Sequence, residues 1–274
     1  MKKVLYCIML IAFALNGCNS KGKEAQARFD RAKGMYEKNE LFAAKSEIDS
    51  IRALYPKEFK VLKESLTLMR LVEQKEAERT LAYCDSLLPI KMLEVEALKK
   101  GFILEKDSVY EEIGTYIWAQ QTIERNVQRS YIRCGVNERG EMYLASVYYG
   151  GAPINHTSIK LSTKDGFIAE TAVIPYDGGV NYRFKDEGYT TEVVTYKGEN
   201  GLEAINLIYN NEKERIRVDY TGDKPYVMYI ADGDKKAIVA TFSLGAVLSD
   251  IEHMKNEMSK ATQRLTYLGG KLNE

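Results

Sequence analysis

The chain has 274 residues, with 39 basic and 39 acidic side chains and 45% hydrophobic residues. Balanced charge argues against a nucleic-acid partner, which requires a clustered basic excess to displace counterions from phosphates. The apolar share and the lack of any low-complexity tract argue against a disordered chain and supply material for a substantial core.

The first residues have the layout of a targeting segment. Lys2 and Lys3 give a positive start, and Val4 to Leu15 is an uncharged, mostly apolar run too short to span hydrocarbon as a helix. Leu15-Asn16-Gly17-Cys18 follows. This tetrapeptide resembles the lipobox of bacterial lipoproteins, with Asn16 where that family usually has a small apolar or hydroxyl residue. The resemblance implies a signal peptide of residues 1–17, a diacylglyceryl group on the Cys18 thiol, and cleavage that leaves Cys18 as the new N-terminus. Residues 18–24 are then the lipidated cysteine and a polar tether, held to a membrane by several acyl chains at about 0.8 kcal/mol per buried CH₂. In Gram-negative members an Asp directly after the cysteine favours the inner membrane. Asn19 in that place implies the outer membrane, facing the periplasm or the cell surface. Loss of residues 1–17 removes Lys2 and Lys3 and no acid, so the mature chain carries 37 basic against 39 acidic residues, a net charge of about −2.

Helical periodicity marks residues 25–112 as a helical arm. Counting forward 33 residues carries Phe29 to Leu62, Tyr36 to Met69, Ala44 to Ala77, Ile48 to Leu81 and Pro56 to Pro89. Small, then large apolar, then proline at a fixed offset is how paired helices pack and end. Ala32 to Pro56, with its turn at Lys38-Asn39-Glu40, resembles one tetratricopeptide repeat. The second unit departs from it, since nothing around Leu71 to Ala77 reads as a turn. Glu58 to Leu88 is therefore expected as one long helix with Leu62, Leu66, Met69 and Val72 along a stripe. Two units fall short of the three that such solenoids need, so a packed helical hairpin is preferred over a concave peptide-binding surface.

Residues 113–233 read as an antiparallel β domain. Turn signals such as Asn137 to Gly140, Lys164-Asp165-Gly166, Asp186-Glu187-Gly188 and Gly222 to Pro225 separate short runs rich in Val, Ile, Thr and Tyr. Ile216, Val218 and Tyr220 alternate with Arg215, Arg217 and Asp219, the period of a half-buried strand. Met142 to Tyr149 and Ala204 to Tyr209 are apolar on both faces or nearly so and are expected as doubly covered strands. About eight strands from Ser130 to Ile230, with Gly114 to Ala119 as a possible earlier edge, make a meander curled into a sandwich or partly closed barrel. Residues 234–274 form a long C-terminal helix, with Leu244, Leu248, Ile251, Met254, Met258, Ala261, Leu265 and Leu268 at steps of three and four. This stripe packs on the helices or the sheet, with a coiled-coil dimer as the other option. The fold class is α+β.

Cys84 and Cys134 remain beside Cys18 in the mature chain. A disulfide in an oxidising compartment is open to them. Two separate buried thiols are preferred, because nothing in the sequence brings their Cα atoms within bonding range.

Gly-x-Ser-x-Gly, His-Glu-x-x-His, Gly-x-Gly-x-x-Gly, the full phosphate-binding Gly-x-x-x-x-Gly-Lys-Ser/Thr (Gly17 to Lys23 is followed by Glu24) and Cys-x-x-Cys are all absent from the sequence. With two distant histidines, a zinc site or a serine-histidine relay has few places to stand, and no cofactor, metal or catalytic residue is assigned. His253 sits on the terminal helix. Gly150 to His156 is a small-residue loop between two strands, read as a hairpin loop ending in a hydrogen-bonded Asn-His pair. Twelve of the 19 tyrosines lie between Tyr131 and Tyr229, where an apolar body with a polar tip suits either plain strand propensity or a gripping surface. The candidate binding residues are Asn155 and His156 of the loop, with Tyr148 and Tyr149. In overall layout the chain resembles Gram-negative envelope lipoproteins that bring no assigned activity. It is expected to be a non-enzymatic, lipid-anchored envelope protein that binds a protein or an envelope component. The alternative is a carboxylate-based hydrolase of glycan or peptide bonds. A pocket holding two carboxyl groups about 5 to 10 Å apart favours the hydrolase, and a flat tyrosine-rich face favours binding.

Overall fold

A computed structural model describes residues 2–106, 109 and 112–272, with side chains from Ser20 onward. The lipobox side chains, Cys18 among them, lie outside the described residues, as does Tyr110. The class is α+β, as the sequence pattern requires. Three helices come first, α1 (Lys2–Glu37), α2 (Leu41–Leu54) and α3 (Phe59–Leu98). Among the described residues ten strands follow, interrupted by α4 (Glu199–Asn210), and α5 (Asp232–Leu272) comes last. By internal contacts the chain divides into two compact units, residues 1–86 with 255–274, and residues 87–254.

In the first unit α1 and α2 form the hairpin that the repeat pattern predicts. Asn39, at φ +69, takes the left-handed conformation that ends a helix, and the N–H of Glu40 donates to the Met35 carbonyl at 2.9 Å. Ala32 and Ala44 are fully buried, so the two backbones approach closely around Leu41 and Ile48, with Leu68 and Val72 of α3 completing the cluster. The second repeat unit has no turn. The expected long helix begins at Phe59 and runs on through Pro89 to Leu98.

The second unit holds two antiparallel sheets and no closed barrel. Strands β1 (Phe102–Glu105), β2 (Thr115–Trp118), β3 (Tyr131–Asn137), β4 (Met142–Gly150), β7 (Asn181–Asp186) and β8 (Tyr189–Lys197) make a six-stranded sheet in the order β1-β2-β3-β4-β8-β7. Strands β5 (Ser158–Ser162), β6 (Ile168–Glu170), β9 (Arg217–Thr221) and β10 (Tyr226–Tyr229) make a four-stranded sheet in the order β10-β9-β5-β6. The edge assigned to Gly114 to Ala119 is interior: β2 pairs with both β1 and β3. The β7–β8 hairpin turns on Glu187 and Gly188, both at positive φ (51° and 87°), the pairing of conformations that a two-residue turn needs to match strand twist.

One expected strand is a helix. Ala204 to Tyr209 lies in α4, because Gly201, Ala204, Ile205 and Ile208 recur at steps of three, one and three and bury a single helical face. A six-residue run with five apolar residues and one Asn fits a doubly buried strand equally well, and only the small residues upstream separate the two. The inner face of the six-stranded sheet is covered by the four-stranded sheet, α4 and the first half of α5. Leu144, Ile159, Val194, Ile208, Val218 and Ile238 meet in this core. A second cluster joins Val95 of α3 and Val136 of β3 to Leu244, Val247, Leu248 and Ile251 of α5.

The stripe on α5 is therefore buried within the chain: Leu244, Leu248, Ile251, Met254, Ala261 and Leu268 are all less than 9% exposed. By length and composition α5 is apolar enough to cross a membrane, yet half of its apolar window is buried by packing. Cys84 and Cys134 are both buried and unpaired. Burial pushes the Cys134 thiol up to about 12, a shift moderated by its bond to the Thr241 hydroxyl at 3.2 Å.

Candidate functional site

The loop that the sequence singles out carries the chain from one sheet to the other. Strands β4 and β5 belong to different sheets, so Gly150 to His156 is a crossover and not a hairpin, and its polar residues bond to other segments. Asn155 adopts φ +54, and its side-chain amide donates to Asp223 at 2.7 Å. His156 enters the core, where its ring meets Tyr220 edge-on at 5.0 Å between centroids.

What holds this loop is Glu192. Strand β8 alternates, with Thr190, Glu192, Val194 and Tyr196 facing inward, and so a carboxylate stands in an apolar layer. Its Oε1 accepts the N–H groups of Ile154 (2.8 Å) and Asn155 (2.9 Å). Its Oε2 accepts the His156 N–H at 3.0 Å and the ring Nδ1–H at 2.9 Å. Burial alone pushes such a carboxyl up. Here the imidazole and the three backbone donors outweigh burial and hold Glu192 at about 2. The network continues from His156 Nε2 to Ser146 Oγ at 2.9 Å and from Ser146 to Tyr196 OH at 3.1 Å. With Nδ1–H given to the carboxylate, every group is satisfied when Tyr196 donates to Ser146 and Ser146 donates to Nε2.

The connectivity is that of a serine-histidine-carboxylate relay, which sequence reasoning did not find. Its setting differs from that of a nucleophile. Ser146 and Tyr196 are fully buried, and His156 is 1% exposed. A cavity of about 260 Å³ reaches Asn155, His156, Arg183, Glu192 and Asp223 but not Ser146. Two carboxylates thus line one cavity, as the hydrolase alternative requires. However, all four lone-pair positions of Glu192 are occupied, and a group titrating near 2 donates no proton at neutral pH. The signal that could have located it was an acid at an inward position of an alternating strand, where only a buried cation or several N–H groups can satisfy it.

The outer face of the same sheet differs in character. Tyr131 and Arg133 of β3, Tyr143, Ala145, Val147 and Tyr149 of β4, Val193 and Thr195 of β8, and Tyr182 and Phe184 of β7 point this way, given the register of paired strands. Two cavities, of about 660 and 480 Å³, open on this face, and both are lined by Arg133, Tyr182 and Val193. Gly135 lets the Tyr143 ring cross β3: a Cβ there would stand 2.6 Å from both Tyr143 Cε1 and Ile117 Cδ1. Tyr149 stacks on Tyr189 and Tyr182 lies parallel to Phe184, each pair at an interplanar angle of 13°. Burial on this face pushes Tyr143 up to about 12 and raises Tyr131 as well. At the rim, Arg129 lies over the Tyr131 ring at 4.6 Å and is neutralised by Asp234 at 2.5 Å.

Arg133 sits between the two cavities. Its side chain is 15% exposed, its Nη2 reaches Glu105 only at 3.4 Å, and its buried Nε has no hydrogen-bond partner among the described residues. The four candidate binding residues therefore separate. Asn155 and His156 line the small cavity on the inner side. Tyr148 points into the core, where its hydroxyl donates to the Ala152 carbonyl at 2.8 Å, and only Tyr149 lies on the outer face. Arg133, Tyr143 and Tyr182 were missed, since a period-two pattern gives which residues share a face but not which face is left open.

No protein-family model matches this chain, and no curated protein or solved structure matches it significantly.

Proposed function

We propose that this chain is a lipid-anchored protein of the cell envelope, held at the outer membrane through Cys18, whose non-catalytic task is to bind an envelope component or partner on the outer face of the six-stranded sheet. The observation that carries the reading is the pair of cavities on that face, which share Arg133, Tyr182 and Val193 and are walled by tyrosines around a cation whose Nε has no partner among the described residues. Cavities of several hundred Å³ with a mostly apolar wall and a few placed polar groups are the usual form of a binding site. The opposite face is spent on the core, and the relay inside it acts as a clamp on the 154–156 loop. The lipobox resemblance supplies the location, and the balanced charge fits a partner other than nucleic acid.

A charge placed on the open face separates binding from folding. Val193 is half-buried on a central strand, so Val193→Asp is expected to lower the melting temperature by several degrees while the fold is kept, and retention is read well below that transition. Retention of the envelope partner by immobilised protein should fall at least ten-fold. Full retention by this variant would sink the assignment of the face.

A further inference from the structure

We propose that the groove beside Arg133 takes a polysaccharide that bears carboxylate groups, an inference that rests on the outer face being the binding surface. The first argument concerns the backbone. The groove lies over β4 and β8, each paired on both sides, and over β3, which pairs with β4 along its length and with β2 at Val136 and Asn137, while the Gln121 amide takes the Ile132 carbonyl and the Cys134 N–H, so little backbone of the sheet is offered to a ligand crossing them. An extended peptide on this floor would leave its own amides without backbone partners, whereas a sugar brings hydroxyls that side chains can meet. Thr195 lines the larger cavity as such a partner, and the rings of Tyr182, which lines both cavities, and of Phe184, which lines the other, present flat surfaces to which the C–H face of a sugar ring is complementary.

The second argument concerns charge. Arg133 is mostly buried, with one long contact to Glu105 and an Nε that nothing among the described residues accepts from. A guanidinium so held is short of acceptors, and a carboxylate at its exposed edge supplies a charge-assisted bond stronger than a neutral one. Lys197 lines the same cavity, while the acid there, Glu141, is already engaged by the Asn137 amide at 2.7 Å. Two cations thus stand against one acid in the lining of the larger cavity.

Titration calorimetry on the mature full chain decides the matter, with oligogalacturonate as probe and the same oligomer after reduction of its carboxyls as the neutral control. The acidic oligomer should bind at least ten-fold more tightly than the reduced one, and added salt should narrow the gap. Arg133→Ala should weaken the acidic oligomer about ten-fold or more and leave the reduced one unchanged, with Arg133→Lys between. Tyr182→Ala should weaken both oligomers alike. Should Arg133→Ala fail to fold, the comparison of the two oligomers on the unaltered protein still decides. Equal binding of the two oligomers, no binding of either, or preferential binding of polyglutamate overturns the inference. If the oligomers fail while Val193→Asp still abolishes partner retention, the carboxylated glycan is wrong and the binding face stands. If Val193→Asp retains the partner as well, both fail.

Discussion

Cys18→Ser should abolish incorporation of labelled fatty acid and move the protein from the membrane pellet to the supernatant after cell breakage. The expected effect is close to all-or-none. One acyl chain binds a bilayer only reversibly, but the several chains of a processed lipoprotein hold it stably, and a single thiol carries the first of them. The helix α5 is no substitute anchor, because its apolar residues from Leu244 to Ile251 are packed against Val95 and Val136. Unchanged labelling, or a pellet that still holds the variant, contradicts the anchoring.

The second large effect is on stability. Glu192→Ala removes the acceptor of four hydrogen bonds and leaves three backbone N–H groups and the His156 Nδ1–H buried without a partner. Breaking such a buried pair costs about 3–5 kcal/mol, a large part of the 5–15 kcal/mol that holds an ordinary domain together. For a protein of this size that lowers the melting temperature by roughly 10 °C. Glu192→Gln should fall between the two, since one of its two polar atoms is a donor that faces donors. The pH dependence has a definite sign. The folded carboxyl titrates at about 2, below its ordinary 4.5, so its charge favours the folded state. That contribution, roughly 3 kcal/mol by linkage, is complete above about pH 4.5 and is lost as pH falls toward 2. Denaturant unfolding of the unaltered protein and of Glu192→Gln should therefore differ at pH 5, and the difference should shrink as pH falls below 4.5 toward 2. A difference that grows as pH falls contradicts the clamp.

The class and the outer elements were legible because their signals are local. Asn39 after a run of helical period, Glu187-Gly188 between alternating strands, and the three-and-four stripe of α5 each fix backbone geometry within a few residues. The short apolar runs were not legible in that way. Ala204 to Tyr209 is helical through its spacing from Gly201, and β1 appears at Phe102 directly after a helical stretch of 40 residues. The candidate site was half legible. Asn155 and His156 do lie at a cavity, but what organises them is Glu192, some 36 residues further along the chain. The open face needs more still. Arg133, Tyr143 and Tyr182 converge only because β3, β4, β8 and β7 are neighbours in the sheet, an order that skips the four-stranded sheet in sequence.

Site-directed photo-crosslinking in intact cells tests the central claim most directly, because benzophenone inserts into the C–H bonds of sugar and protein alike. Placed at Thr195, on the wall of the larger outer cavity, it should give a discrete adduct in the envelope fraction, and placed at Lys160, on the four-stranded sheet, it should give none. An adduct from Lys160 with none from Thr195 contradicts the account.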